Sequence, residues 1–333
     1  GGGDWLSFEA LNSAVTAIMA NGSISDGFGT TNISNIENLL GTILGDTLTG
    51  DANNNTLDGN AGDDVIDGGA GNDYLLGGEG NDTLSGETGV DKYDGGEGED
   101  TLDFYSTGAS VSVNLSTTGV LNDGYGNVET TIISIENLAG TLDYGDTLVG
   151  DNNNNKIYGY GGADTLSGLG GVDTLYGGDG NDKLTTGEGA GDVAFGGTGT
   201  DTFTGNLDGD ILIGGTSLTV DDTLEDWLDY STLTGTVGIN VDLSKTIVHN
   251  DANDALDGTY SEVTLSSGGT ADLVANIENI IGSANADILG GNSGINSIKA
   301  GLGDDTIYTS AGQDYIDGEG GSDWLSLENF NPG

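Results

Sequence analysis

Apolar residues recur along this chain at every ninth position, set between smaller or polar neighbours and preceded by glycines. Over residues 59–103 the units read GNAGDDVID, GGAGNDYLL, GGEGNDTLS, GETGVDKYD and GGEGEDTLD. The eighth place holds Ile66, Leu75, Leu84, Tyr93 and Leu102, and the sixth is always Asp. Glycines allow a tight bend, and three residues of alternating character suit a very short strand facing a narrow core. Each unit is therefore predicted to make half a coil. Two units, about eighteen residues, complete one turn of a flattened solenoid, so that residue i lies beneath residue i+18 at roughly 4.8 Å.

At this spacing the chain holds three arrays. The first carries Asp46, Asn55, Asp64, Asp73, Asp82, Asp91 and Asp100 at the sixth place. The second carries Asp146, Asn155, Asp164, Asp173 and Asp182, then, after a one-residue insertion, Asp192, Asp201 and Asp210. The third carries Asp287, Asn296, Asp305, Asp314 and Asp323. An irregular segment with strand-like alternation precedes each array and ends in Ile-Glu-Asn-Leu at 36–39 and 135–138 or Ile-Glu-Asn-Ile at 277–280. The chain thus divides into three modules, 1–98, 99–221 and 222–333, each an irregular β segment followed by an array. The irregular segments are expected to widen the solenoid into larger coils. Asparagine in the second unit of every array is expected to weaken or remove an ion site where the roll begins. Glycine and asparagine are dense and no stretch holds a 3.6-residue period, so helix should be nearly absent.

Stacking at i+18 places Asp64, Asp82 and Asp100 on one edge and Asp73 and Asp91 on the other. Carboxylates that close repel unless a cation lies between them, and a hard cation with flexible oxygen coordination, such as calcium, suits carboxylates and turn carbonyls. The charge balance points the same way. Fifty-five acidic residues face five lysines, a net charge of −50, which opposes compaction unless cations are bound. The same charge argues against nucleic-acid partners and anionic membrane surfaces, both of which call for basic patches. No cysteine is present, and no apolar run of about eighteen residues could span a bilayer.

The glycine-led unit with Asp sixth and a large apolar residue eighth resembles the nonapeptide GGxGxDxUx of RTX proteins, and it recurs in unbroken register. The resemblance implies an all-β fold: a right-handed parallel β-roll, or β-solenoid, with calcium-binding arrays separated by wider irregular coils. It also implies calcium held between successive turns by the sixth-place aspartates, Asp46 to Asp323 as named above, together with backbone carbonyls, about a dozen ions in all. RTX proteins are typically exported by type I secretion, so an extracellular or cell-surface location is expected.

Catalytic motifs are not evident. With one histidine, His249, a pair of zinc-binding histidines four apart cannot be made, and there is neither a thiol nor a G-x-S-x-G elbow. The regular acids are accounted for by the ion lattice. Trp5, Trp227 and Trp324 each lie in an Asp-Trp-Leu triplet, where core or junction packing at module starts is expected. The function expected is that of a secreted calcium-binding structural protein of a surface layer, adhesin or filament. End-to-end self-association and contact with a cell surface or polysaccharide would be its partnerships. The alternative is the calcium-binding portion of a type I-secreted protease, lipase or alginate epimerase.

Overall fold

The computed structural model describes residues 3–25, 29–117, 122–126, 131–217, 224–249, 256, 258–267 and 272–327. Their regular elements are nearly all strands. A single 3-10 turn, Met19–Asn21, is the only helical element among them. Chain contacts group the residues into two compact units, one of 1–151 with 155–160 and the other of 152–154 with 161–333. This is a grouping by packing, whereas the three modules are a division by repeat. Each unit is a parallel β-roll.

In the first unit, one wall is a six-stranded sheet that includes Trp5–Ser7, Asn38–Leu40, Thr56–Ala61, Tyr74–Glu79 and Lys92–Glu97. The facing wall runs through Thr47–Thr49, Val65–Asp67, Thr83–Ser85 and Thr101–Asp103. The register is that of a two-unit coil: Leu57 lies beside Leu75 and Leu75 beside Tyr93 on one wall, and Leu48, Ile66, Leu84 and Leu102 follow one another on the other. These eighth-place side chains are completely or almost completely buried. They fill the narrow space between the walls, each contributing about 1.5–3 kcal/mol by leaving water. Seventh- and ninth-place side chains point outward, which is why polar and apolar residues interchange there.

The second unit repeats this plan. Leu166, Leu184, Phe203 and Leu228 line one wall and Leu175, Ala194 and Leu212 the other. The residue inserted before Asp192 is absorbed in a turn, so Leu175 still pairs with Ala194 and the core alternation is kept.

The irregular segments do lengthen the coils, and they do so in a specific way. Trp5 pairs with Asn38, Thr16 with Thr47 and Lys92 with Thr131, all parallel. The additional residues near the N-terminus fold as an antiparallel excursion in which Thr16–Ile18 pairs with Ser23–Ser25 and that strand with Thr30–Asn32. The third irregular segment does the same through Gly258–Leu265, which lies antiparallel to Ile239–Asp242, Ile247–His249 and Asp272–Ala275. His249 ends one of these strands; its side chain lies outside the described residues.

The tryptophans are not core residues. Each occupies a seventh place, with the following leucine at the eighth. Trp5 is 52% and Trp324 70% exposed, while the half-buried Trp227 carries the Lys299 ammonium 5.2 Å from its ring centre. Asp-Trp-Leu is thus an ordinary repeat unit in register, and its tryptophan faces outward because the seventh place does.

Candidate calcium-binding site

The sixth-place aspartates sit where the glycine-rich bend meets the strand, and most are buried. That holds for Asp46, Asp64, Asp73, Asp82, Asp91 and Asp100 in the first array, for Asp146, Asp164, Asp173, Asp182, Asp192, Asp201 and Asp210 in the second, and for Asp287 and Asp305 in the third. Asp314 is half-buried and Asp323 exposed. One hydrogen bond recurs among them: the backbone N–H of a sixth-place residue donates to Oδ1 of the sixth-place residue one coil later. On one edge Asp46 donates to Asp64 at 2.6 Å, Asp64 to Asp82 at 2.8 Å and Asp82 to Asp100 at 2.8 Å. On the other, Asn55 donates to Asp73 at 2.8 Å and Asp73 to Asp91 at 2.7 Å. The second array continues the rule from Asp164 to Asp182 to Asp201 and from Asp173 to Asp192 to Asp210. In the third, Asp287, Asp305 and Asp323 form one file and Asn296 and Asp314 the other.

This bond uses one carboxylate oxygen and leaves the other unmet. Oδ2 of Asp64, Asp73, Asp82, Asp100, Asp182, Asp192 and Asp305 is buried and accepts no hydrogen bond. For Asp64, Asp82, Asp100 and Asp182 it lies against the first-place glycine of its own unit, Gly59, Gly77, Gly95 and Gly177, where a backbone carbonyl from the next coil also converges; ahead of Asp305 that place is held by Ala300. A Cβ on Gly77 would strike both Asp82 Oδ2 and the Gly95 carbonyl oxygen, and one on Gly177 would strike Asp182 Oδ2 and the Gly196 carbonyl. Gly77 does not take a positive φ, whereas the second- and fourth-place Gly78 and Gly80 do, at 116° and 135°. The glycines therefore have two reasons to be there, conformation at the second and fourth places and close approach at the first.

Burial without a counter-charge raises these carboxyl groups above the ordinary range. Desolvation is the largest cause throughout. It pushes Asp64 up to about 8 and Asp82 adds repulsion, against the opposing N–H of Asp46. Asp91 and Asp182 rise to about 7, and Asp73, Asp100 and Asp305 to about 6. A buried anionic oxygen with no donor is a costly group. An all-oxygen set of carboxylates and turn carbonyls, with no sulfur or imidazole, fits calcium and does not fit zinc.

A model of the RTX calcium-binding nonapeptide repeat (four copies) matches residues 40–75, 68–102, 141–175, 159–193 and 290–325. The chain carries RTX calcium-binding repeats. Such repeats are typical of secreted proteins. No curated protein matches the chain. The matched RTX stretches contain the files from Asp46 to Asp100, from Asp146 to Asp192 and from Asp305 to Asp323, and leave out the irregular segments together with Asp201, Asp210 and Asp287.

Within the RTX arrays the structure sets three aspartates apart. Asp46 accepts from the N–H of Val15 at 2.7 Å and from Thr42 at both its N–H, 2.6 Å, and its hydroxyl, 3.1 Å. Asp146 is held likewise by Val111 and Thr141, and Asp287 by Ile239 and Ser283. A Thr or Ser four or five residues earlier thus supplies Oδ2 with a donor that Asp82 Oδ2 lacks. Asp46→Asn is accordingly expected to cost about 1–3 kcal/mol, because an amide NH2 would face those donors, yet to leave the number of bound ions unchanged. Asp82→Asn is expected to lose at least one ion. Equilibrium dialysis with calcium checks both, and ion loss on Asp46→Asn would count against the distinction.

The asparagines of the second units have a positive role that charge reduction alone did not reveal. The amide NH2 of Asn55, Asn155 and Asn296 donates to the carbonyl of Glu37, Glu136 and Glu278, at 2.9, 2.7 and 2.7 Å. An aspartate could not donate there.

Two sixth-place acids escaped the sequence reading because irregular segments break the count. Asp226 accepts from the Asp201 N–H at 2.8 Å and Asp272 from the Asp210 N–H at 3.2 Å. Asp226 was legible from its Trp-Leu neighbours, since Asp323 precedes the same pair. Asp272 had no such signal. Its carboxylate also accepts from Leu207, Gly209 and the Tyr230 hydroxyl, and it meets Asp208 and Asp210 with oxygens within 4.8 Å of one another.

Proposed function

We propose that the chain is a non-enzymatic structural protein of the cell exterior, whose coils lock when calcium enters the carboxylate files. It would serve in a surface layer, an adhesin or a filament. The observation that carries this reading is the row of buried carboxylate oxygens that no protein donor meets. Their need for a cation ties folding to calcium, since binding free energy becomes folding free energy when the site exists only in the folded chain. Extracellular calcium modules bind at roughly 0.1–1 mM, so the chain would stay open in the cytosol and close outside. The regular carboxylates are engaged in holding coils together, which supports a mechanical role over a chemical one.

The coil edges support self-association. Trp5–Ser7 pairs with Asn38–Leu40 and Trp324–Ser326 with Thr306–Tyr308, and both outer strands read Trp-Leu-Ser. A further coil laid against Trp324–Ser326, from the same polypeptide or from a second copy, would cover the exposed Trp324 and Leu325. Light scattering and electron microscopy at millimolar calcium are expected to show filaments or sheets that disperse on chelation. A chain that stays monomeric at high concentration, and is not retained by cell surfaces or polysaccharide in calcium, would overturn the structural role. It would favour a repeat portion of a secreted enzyme.

A further inference from the structure

The Ile-Glu-Asn junctions repeat the geometry of the calcium files with different residues. The N–H of Asp100, the last sixth-place aspartate of the first array, donates to Oε2 of Glu136 at 2.9 Å. Glu136 therefore stands where Asp100 Oδ1 stands for Asp82. The Asp100 carbonyl in turn accepts the N–H groups of Glu136 and Asn137, at 3.1 and 2.8 Å. The other junctions are built alike: the N–H of Asp4 donates to Glu37 at 2.9 Å and that of Asp226 to Glu278 at 3.1 Å, with the same pair of return bonds.

The remaining donors also have their counterparts. Asp100 is fully buried, and its Oδ2 accepts no hydrogen bond. That oxygen points at Gly95, where a Cβ would strike both it and the carbonyl oxygen of Ser134. One coil earlier the same arrangement is Asp82 Oδ2, Gly77 and the Gly95 carbonyl. Ser134 presents its carbonyl from a left-handed conformation, φ 51°, two residues before the glutamate, and Asn35 and Asn276 hold the same conformation two residues before Glu37 and Glu278. A longer acidic side chain and a left-handed residue thus rebuild, in a segment without glycine repeats, the oxygen set that the nonapeptide makes.

We infer that Ile-Glu-Asn is a calcium-site motif in its own right, in which Glu136, with Asp100 and the Ser134 carbonyl, binds an ion outside the nonapeptide arrays. Glu278 with Asp226 is its equivalent, since a Cβ on Gly214 would strike both Asp226 Oδ2 and the Asn276 carbonyl, whereas at the first junction Asp4 is exposed and only the hydrogen bonds are shared. The ion file then continues through the junction and joins the array to the coil that carries the next excursion. The inference rests on calcium occupying the arrays, and its test separates the two.

Glu136→Gln keeps an oxygen for the Asp100 N–H and removes the charge. Calcium alone is the probe, with ions per chain measured by equilibrium dialysis and strand content by circular dichroism. Glu79→Gln, at an exposed glutamate of an array strand, is the control. The parent and the control are expected to bind the same number of ions, and Glu136→Gln one fewer with its strand signal kept. An unchanged count in Glu136→Gln overturns the junction site while leaving the arrays standing, whereas a parent that binds no calcium fails at the arrays themselves. If Glu136→Gln loses its strand signal, Glu278→Gln decides in its place: one ion lost supports the motif and none lost overturns it. Unfolding of both at saturating calcium also counts against it, because the proposal requires the retained oxygen to hold the coil.

Discussion

Stripped of calcium near pH 7, the chain is expected to lose most of its strand signal, and acidifying the calcium-free chain toward about pH 4 is expected to bring part of it back. The sign follows from the buried carboxylates. An unfolded aspartate titrates near 3.8, whereas burial holds Asp64 at about 8, Asp91 and Asp182 at about 7, and Asp73 and Asp100 at about 6. The folded state therefore binds more protons than the unfolded one between about pH 4 and 8, and stability falls as pH rises across that window. Below it these groups are protonated in both states and the penalty is gone. The net charge of −50 at neutral pH acts in the same direction, since it too is relieved by acid.

Calcium inverts the curve. The ion competes with protons for the same oxygens, so its binding strengthens as pH rises through the raised values and stability climbs with it. Circular dichroism melts across pH 4 to 8, with chelator and with millimolar calcium, should give slopes of opposite sign. A calcium-free chain with more strand at pH 7.5 than at pH 4 would overturn the account of the carboxylate files.

Much of this was legible in the sequence because the repeat is a strict count. A nine-residue period places Leu84 beneath Leu102 and Asp82 beneath Asp100 without knowledge of any side-chain contact, and the structure pairs them so. What the count could not supply was the partner of each oxygen. Asp46 and Asp82 hold the same place in the same motif, yet Thr42 satisfies one and no protein donor meets Oδ2 of the other. The difference lies four residues upstream, in a threonine where the regular unit has the second of two glycines. Where the period broke, inference broke with it. Asp272 joins its file across a 62-residue separation from Asp210, and only the folded chain brings those coils together. The tryptophans misled for the opposite reason: large aromatic residues are usually buried, but a seventh place faces outward whatever occupies it.

Gly77→Ala is expected to be among the most damaging single substitutions in the first array, although it adds one methyl group. Gly77 does not occupy the left-handed region, so alanine brings no backbone strain there. The damage is local and steric. The new Cβ would fall on Asp82 Oδ2 and the Gly95 carbonyl oxygen, the two groups that converge where the cation is needed. Forcing a methyl group into a packed site costs about 1–3 kcal/mol, and here it also displaces the ion that offsets the buried charge of Asp82. The substitution should thus lower the melting temperature in calcium and reduce the ions bound per chain, two effects that a simple packing defect would not combine. Gly108→Ala is the reference, since a Cβ there meets nothing within 4 Å, and it should leave both quantities alone. Thermal melts and equilibrium dialysis in saturating calcium decide the matter. If Gly77→Ala melts with the parent and binds as many ions, the first-place glycine is not there to make room for carboxylate and cation. The convergence of Oδ2 and carbonyl would then be a feature of coil packing alone.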